Sequence, residues 1–150
     1  MGYCDPEYAE TGLLKKESDV YSLGVVLFEV LCGRLCINYN KNIRQSQFLI
    51  GVVRQHYQEN RIQELVFGNI KDGIDPESLE TFCTIAYRCL DRNINKRPLM
   101  AEVVEKLETA LEYQREKQRK SQRKNAYIFG SPLPSDQSFR QFLGRSERRL

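Results

Sequence analysis

The stretch that decides the fold is residues 18–29, SDVYSLGVVLFE. Its apolar side chains would lie on nearly every face of a helix, and its only charges are Asp19 near the start and Glu29 at the end. A helix that is apolar all round needs cover on all sides, so this stretch predicts a buried central helix. Ser18 is the predicted N-cap, and Gly33 is the predicted left-handed residue that ends the helix.

Helical spacing of apolar residues also marks three later segments, residues 48–57, 79–90 and 100–111. Asp75 followed by Pro76 predicts the start of the second of these, because Asp caps a helix and Pro suits its first position. No stretch alternates polar and apolar residues for long enough to predict a strand. The sequence therefore predicts an all-α fold with four main helices, preceded by an ordered loop.

Length and composition narrow the class of protein. The chain has 150 residues, which suits one domain, and no apolar run approaches the roughly 20 residues that span a bilayer. Five cysteines without a secretory signal or a C-x-x-C pair, together with a single histidine, favour free thiols in a reducing compartment over a metal site. We therefore expect a cytoplasmic location and no bound metal.

The balance of acidic and basic residues changes near position 111. Residues 1–111 hold 13 Lys and Arg against 16 Asp and Glu, whereas residues 112–150 hold 10 against 4. The apolar spacing of the last helix also fades there, and a Ser-Pro-Leu-Pro-Ser run follows at residues 131–135. We therefore predict one folded domain over residues 1–111 and a basic, mostly disordered tail over residues 112–150, with the last helix fraying at its start.

The basic tail could in principle bind polyanions. Six Lys and Arg side chains between positions 115 and 124 would support weak, salt-sensitive binding to nucleic acid or to an acidic membrane. The simpler interpretation is a solvated helix end and linker. From the sequence alone we favour that interpretation and consider a nucleic-acid partner unlikely.

Three motifs carry a family resemblance: residues 2–8 (GYCDPEY), residues 18–24 (SDVYSLG) and Arg97-Pro98. In order and spacing they resemble the end of the activation segment, the central helix of the large lobe and the closing segment of a protein kinase domain. Their residues are similar to those of the corresponding motifs in plant receptor-like and receptor-like cytoplasmic Ser/Thr kinases. The resemblance covers about residues 2–111 and implies the C-terminal helical subdomain of the kinase fold, without the N-lobe and catalytic loop.

The resemblance also implies roles for individual residues. Gly2 and Tyr3 should lie in the loop that contacts the protein substrate. Glu7 should form a buried ion pair with Arg97, and Asp19 should accept hydrogen bonds from the backbone of the catalytic loop. The alternatives are that Glu7 and Arg97 are surface charges and that Asp19 is only a favourable first-turn charge.

The residues that perform phosphoryl transfer in this family are absent from the sequence. There is no G-x-G loop, His56 opens no H-R-D motif, and neither Phe-Gly pair follows an aspartate as in D-F-G. We therefore assign no catalytic, cofactor-binding or metal-binding residue. MgATP is expected only for a full-length parent, and this chain alone is predicted to be inactive.

Two hypotheses follow. The first is a fragment of a Ser/Thr kinase domain in which Met1 stands where the family would continue upstream. The alternative is a non-catalytic helical interaction module or kinase decoy. For either, the expected partners are a protein substrate or another kinase, membrane attachment would come only through an upstream receptor portion, and exposed apolar surface could drive self-association.

Overall fold

The computed structural model describes residues 3–38 and 47–128. In chain order its elements are α1 (Pro6–Thr11), α2 (Lys16–Cys32), β1 (Ile37–Asn38), β2 (Gln47–Phe48), α3 (Leu49–Gln58), α4 (Gly68–Lys71), α5 (Pro76–Cys89) and α6 (Met100–Ile128). Single 3-10 turns at Ile62–Glu64 and Ile94–Lys96 precede α4 and α6. The predicted all-α class is confirmed.

The central helix α2 is the predicted one, with a different start. It begins at Lys16, and Lys15 occupies the N-cap position without a capping side chain. The prediction that Ser18 is the N-cap was therefore wrong: Ser18 lies in the first turn, is buried, and donates its hydroxyl to Asp5. The predicted end is confirmed, because Gly33 takes the left-handed conformation at φ 62°.

The core forms where α2 packs against α5 and α3. Val25 and Phe28 of α2 are fully buried, as are Ala86 of α5 and Val53 of α3. Gly24 allows the close approach of α5, since a Cβ at this position would lie 2.8 Å from the Cβ of Cys89. The α2 surface is not covered on every side by the described residues: Val26 and Val30 are exposed.

Two short strands were not predicted. β1 and β2 pair in antiparallel fashion, with Ile37 opposite Phe48 and Asn38 opposite Gln47. Each strand has only two residues, which is too short for an alternating pattern to be visible in the sequence. Residues 39–46 lie outside the described residues.

Helix α6 is longer than predicted. We expected fraying after Leu111, but the helix continues to Ile128. Glu, Gln, Lys and Arg are good helix formers, and Glu116 lies 3.8 Å from Lys120 one turn later, so the polar composition supports the helix. Predicted disorder was therefore wrong for residues 112–128, while residues 129–150 lie outside the described part.

The chain forms two compact units, residues 1–114 and 115–150. The division into a domain over residues 1–111 and a tail over 112–150 stays a prediction. Within the described ranges, none of the helices combines the length and apolar character that crossing a bilayer requires.

Candidate functional site

A buried ion pair fixes the loop that precedes α1. The Asp5 carboxylate accepts two hydrogen bonds from the Arg97 guanidinium, with Nη1 2.8 Å from Oδ2 and Nη2 2.6 Å from Oδ1. Both side chains are at most 1% exposed. Ser18 Oγ donates to Oδ2 and the Glu7 backbone N–H donates to Oδ1, so each carboxylate oxygen has two donors. A buried charge is tolerated when its oxygens are fully hydrogen-bonded in this way.

Arg97 is equally well satisfied. Its Nη1 also donates to the carbonyl oxygen of Glu17 at 2.9 Å, and its Nε donates to that of Asp91 at 2.8 Å. Its guanidinium carbon lies 5.1 Å from the centroid of the Tyr21 ring, within range of a cation–π interaction. One side chain thus connects the loop before α1, the first turn of α2 and the turn after α5.

The electrostatics follow from this geometry. Hydrogen bonds from Arg97 are the main cause that lowers the pKa of Asp5 from 3.8 to about 2; burial acts in the opposite direction, and the Ser18 hydroxyl assists the lowering. The hydrogen bond with Asp5 in turn raises the pKa of Arg97. Both groups therefore stay charged at neutral pH.

The predicted partner of Arg97 was wrong. Glu7 does not form the buried ion pair; its carboxylate lies 2.7 Å from Lys15 Nζ, in a pair that is partly exposed on both sides. The reason is local geometry. Asp5 is the N-cap of α1, with its side chain turned back toward the helix N–H groups and the core, whereas Glu7 lies in the first turn. Arg97 itself is buried and paired, so the alternative of a surface charge is also wrong for this residue.

Tyr3 is held against α2 by both its side chain and its backbone. Its hydroxyl donates to Glu29 Oε1, and its carbonyl oxygen accepts from Ser22 Oγ at 3.0 Å. The same Glu29 oxygen accepts the backbone N–H of Cys36, so Glu29 connects the loop before α1 with the turn after α2. The hydrogen bond to Glu29 is the main cause that raises the pKa of Tyr3. The Tyr3 side chain is still 41% exposed and therefore available for contact.

Asp19 does not contribute to the attachment of this loop. Asp19 is exposed in the first turn of α2, and its carboxylate forms no hydrogen bond or ion pair with the described residues, so its role in binding a catalytic loop stays a prediction. Gly2 lies outside the described residues.

The expectation that MgATP binds only to a full-length parent stays a prediction. Within residues 3–38 and 47–128, no group of three or more His, Cys, Asp or Glu side chains could hold a metal ion. Asp5, the carboxylate buried at the site, is already saturated by Arg97, Ser18 and the Glu7 N–H. The arrangement therefore holds the loop before α1 in place against α2 and the turn after α5.

Comparison with known proteins is consistent with this architecture. The sequence profile described as protein tyrosine and serine/threonine kinase matches residues 1–107. This chain belongs to that family. Its match to the receptor-like protein kinase ANXUR2 of Arabidopsis thaliana is 39% identical over 76% of this chain and 13% of the relative. For wall-associated receptor kinase 1 of Arabidopsis thaliana, the identity is 38% over 72% of this chain and 15% of the relative.

A solved structure of a kinase-like domain is also similar to this chain. The pseudokinase domain of BIR2, described as an immune regulator of the RLK/Pelle family, is 31% identical with a TM-score of 0.64, and the match covers 76% of this chain and 34% of that chain. The kinase-family chain described here thus spans about one seventh of the curated relatives that it matches. The predicted resemblance to receptor-like kinases is confirmed, and the alternative of a non-catalytic helical interaction module or kinase decoy is not favoured.

Sequence reasoning missed Asp5, Ser18 and Glu29 as parts of the site. A signal existed for Asp5, because Asp followed by Pro at positions 5 and 6 is the same start signal that identified Asp75 and Pro76. No comparable signal marks Glu29, whose two partners are 26 and 7 positions away in the sequence.

Proposed function

We propose that the first unit of this kinase-family chain is the substrate-facing and scaffold part of the large lobe of a receptor-like Ser/Thr kinase. The complete domain would transfer the γ-phosphoryl group of MgATP to Ser or Thr of a protein. The observation that carries the proposal is the double attachment of the loop before α1, with Asp5 bound to Arg97 and Tyr3 bound to Glu29. A loop fixed at both points loses little further entropy when a substrate segment docks on it.

The role of this chain in that reaction is positioning. Phosphoryl transfer depends largely on alignment of the acceptor and on electrostatic stabilisation. The buried pair of Asp5 and Arg97 keeps the loop in place on the helical scaffold, and Tyr3 offers an exposed ring and a hydrogen-bonded hydroxyl to a peptide. Contacts to ATP and Mg²⁺ would come from parts of a kinase domain whose motifs this sequence lacks.

The expected setting follows from the relatives. Because those relatives are named receptor-like kinases, we propose that this region works on the cytoplasmic side of the plasma membrane and that its partners are protein substrates of a signalling kinase. Free buried thiols agree with a reducing environment.

A chimeric kinase tests the proposal. Residues 1–107 would replace the matching segment in the kinase domain of ANXUR2, and phosphorylation of a protein substrate would be measured with ATP and substrate varied separately. The expected result is an active chimera in which Tyr3→Ala raises KM for the protein substrate at least several-fold while KM for ATP is unchanged. Substrate contact by a loop residue alters substrate binding without altering nucleotide binding.

Tyr8→Ala is the matched control, because Tyr8 has the same 41% exposure but lies on α1. It should leave both KM values unchanged. A well-folded chimera without ATP-dependent phosphorylation would refute the kinase assignment. Equal effects of the two tyrosine substitutions would refute the role of the Tyr3 loop.

We also propose that the isolated chain self-associates through α2. Val26 and Val30 are exposed on the same face of this helix, and Val30 is 68% exposed. Val30→Lys should shift the chain toward monomer in sedimentation velocity. Leu35→Lys, at the same 68% exposure but outside the helix, should not. A wild-type chain that is monomeric at all concentrations contradicts this proposal.

A further inference from the structure

The second compact unit begins with a densely basic stretch of α6. Within residues 115–124 there are six cationic side chains and a single acidic one, Glu116. The six are Arg115, Lys117, Arg119, Lys120, Arg123 and Lys124. We call residues 115–124 the basic segment.

Helical order gives this segment a defined basic face. At 100° per residue the six cations cover roughly 200° of the helix circumference along about 15 Å of its axis. Five of the six residues are exposed and Lys117 is half-buried. Glu116 is engaged with Lys120 at 3.8 Å; of the carboxylates that the structure describes, none forms an ion pair with Arg115, Arg119 or Arg123. The positive charges of these three arginines are therefore not compensated by an ion pair within the described chain.

The basic segment lacks apolar side chains that could be buried away from solvent. Residues 114–124 read QREKQRKSQRK and include no apolar side chain. It therefore cannot pack into a protein core, and it cannot insert an apolar face into a bilayer as amphipathic interfacial helices do. Any partner must be recognised by charge at the surface.

We propose that the basic segment binds an acidic phospholipid surface through headgroup phosphates and carboxylates, without insertion. The basic face extends over about half of the helix circumference. A helix lying on a flat, negatively charged membrane surface can use such a wide face, because long Lys and Arg side chains at its edges still reach the headgroups. Clusters of four to eight Lys and Arg are the usual size for such electrostatic membrane contacts. The proposal is independent of the kinase function.

Vesicle binding tests the proposal with the full chain. Sedimentation of the chain with phosphatidylcholine vesicles containing roughly 30 mol% phosphatidylserine should show binding at low salt, with little binding to pure phosphatidylcholine. Because each basic residue beside such a surface changes partitioning about fivefold, the triple variant Arg115→Gln, Arg119→Gln, Arg123→Gln should bind about 100-fold more weakly. Raising the salt concentration to roughly 0.5 M should also release the chain.

The matched control is Lys71→Gln, Arg92→Gln, Lys96→Gln, which removes the same charge from three exposed positions of the first unit. It should retain most of the vesicle binding. Gln is a good helix former, so circular dichroism should show unchanged helix content in the test variant. Equal losses of vesicle binding in the two triple variants, or no binding of the wild-type chain to acidic vesicles at low salt, would overturn the proposal. Tighter binding to a mixed-sequence DNA duplex than to the acidic vesicles would also overturn it, in favour of a nucleic-acid partner.

Discussion

Arg97 holds Asp5 in a bidentate ion pair across 92 positions of sequence, with both side chains shielded from solvent. This pair attaches the loop before α1 to the segment that leads into α6. Because Tyr3 is only two residues from Asp5, the position of the proposed substrate loop depends directly on this attachment.

The identity of the carboxylate that pairs with Arg97 can be tested by two alanine substitutions. Asp5→Ala leaves a buried guanidinium without its counter-charge and should lower the free energy of unfolding by about 3–5 kcal/mol. Glu7→Ala removes a partner of the exposed Lys15, and solvent screening should make its effect much smaller. Urea unfolding followed by circular dichroism measures both. A larger loss for Glu7→Ala would reverse the assignment.

Lowering the pH should remove the contribution of Asp5 to the stability of the folded chain. The pKa of Asp5 is about 2 in the folded chain, below the ordinary value of 3.8, so the unfolded state binds its proton first as the pH falls. The stabilisation is present above about pH 4 and should decline by about 2 kcal/mol as the pH falls toward 2. Unfolding free energies measured across this range should fall more steeply for the wild type than for Asp5→Asn. Parallel curves would contradict the prediction.

Two helical glycines should respond in opposite directions to alanine. At Gly24 the added Cβ would lie 2.8 Å from Cys89 Cβ and 3.2 Å from the Ala86 carbonyl oxygen, so Gly24→Ala should destabilise the chain by about 1–3 kcal/mol through overpacking. At Gly51, exposed on α3, the added Cβ would have no neighbour within 4 Å. Gly51→Ala should therefore stabilise by about 0.5–1 kcal/mol through reduced backbone entropy in the unfolded state. Thermal unfolding of the two variants decides whether α2 and α5 approach as closely as described.

The cysteines should differ sharply in reactivity. Burial raises the pKa of Cys83 to about 12 and that of Cys89 to about 11, and it also raises the pKa values of Cys32 and Cys36. Cys4 is only half-buried, on the loop before α1.

A disulfide reagent at about pH 8 should therefore label one thiol of the folded chain quickly, with the remaining four labelled only on unfolding. The fast phase should disappear in Cys4→Ser. A fast phase that survives this substitution would show that one of the buried thiols is accessible.

The sequence by itself determined the helical class and the family. The apolar stretch of residues 18–29 indicated a helix that is mostly buried. Gly33 and the Asp75-Pro76 pair mark helix ends through backbone conformations that few other residues favour. These signals are local, since each depends on residues within about a turn of one another. The motifs that revealed the kinase family are local strings of the same kind.

Only the tertiary structure decided which acid pairs with Arg97. The Asp5-Pro6 pair signals a helix cap, but this signal does not say which acid pairs with Arg97. The cap position turns Asp5 inward toward Ser18 and Arg97, whereas Glu7 meets Lys15. Packing likewise selected Glu29 as the residue that joins Tyr3 to the Cys36 turn. These choices join residues far apart in sequence, and their energies depend on burial and on the direction of each side chain, which a linear pattern does not contain.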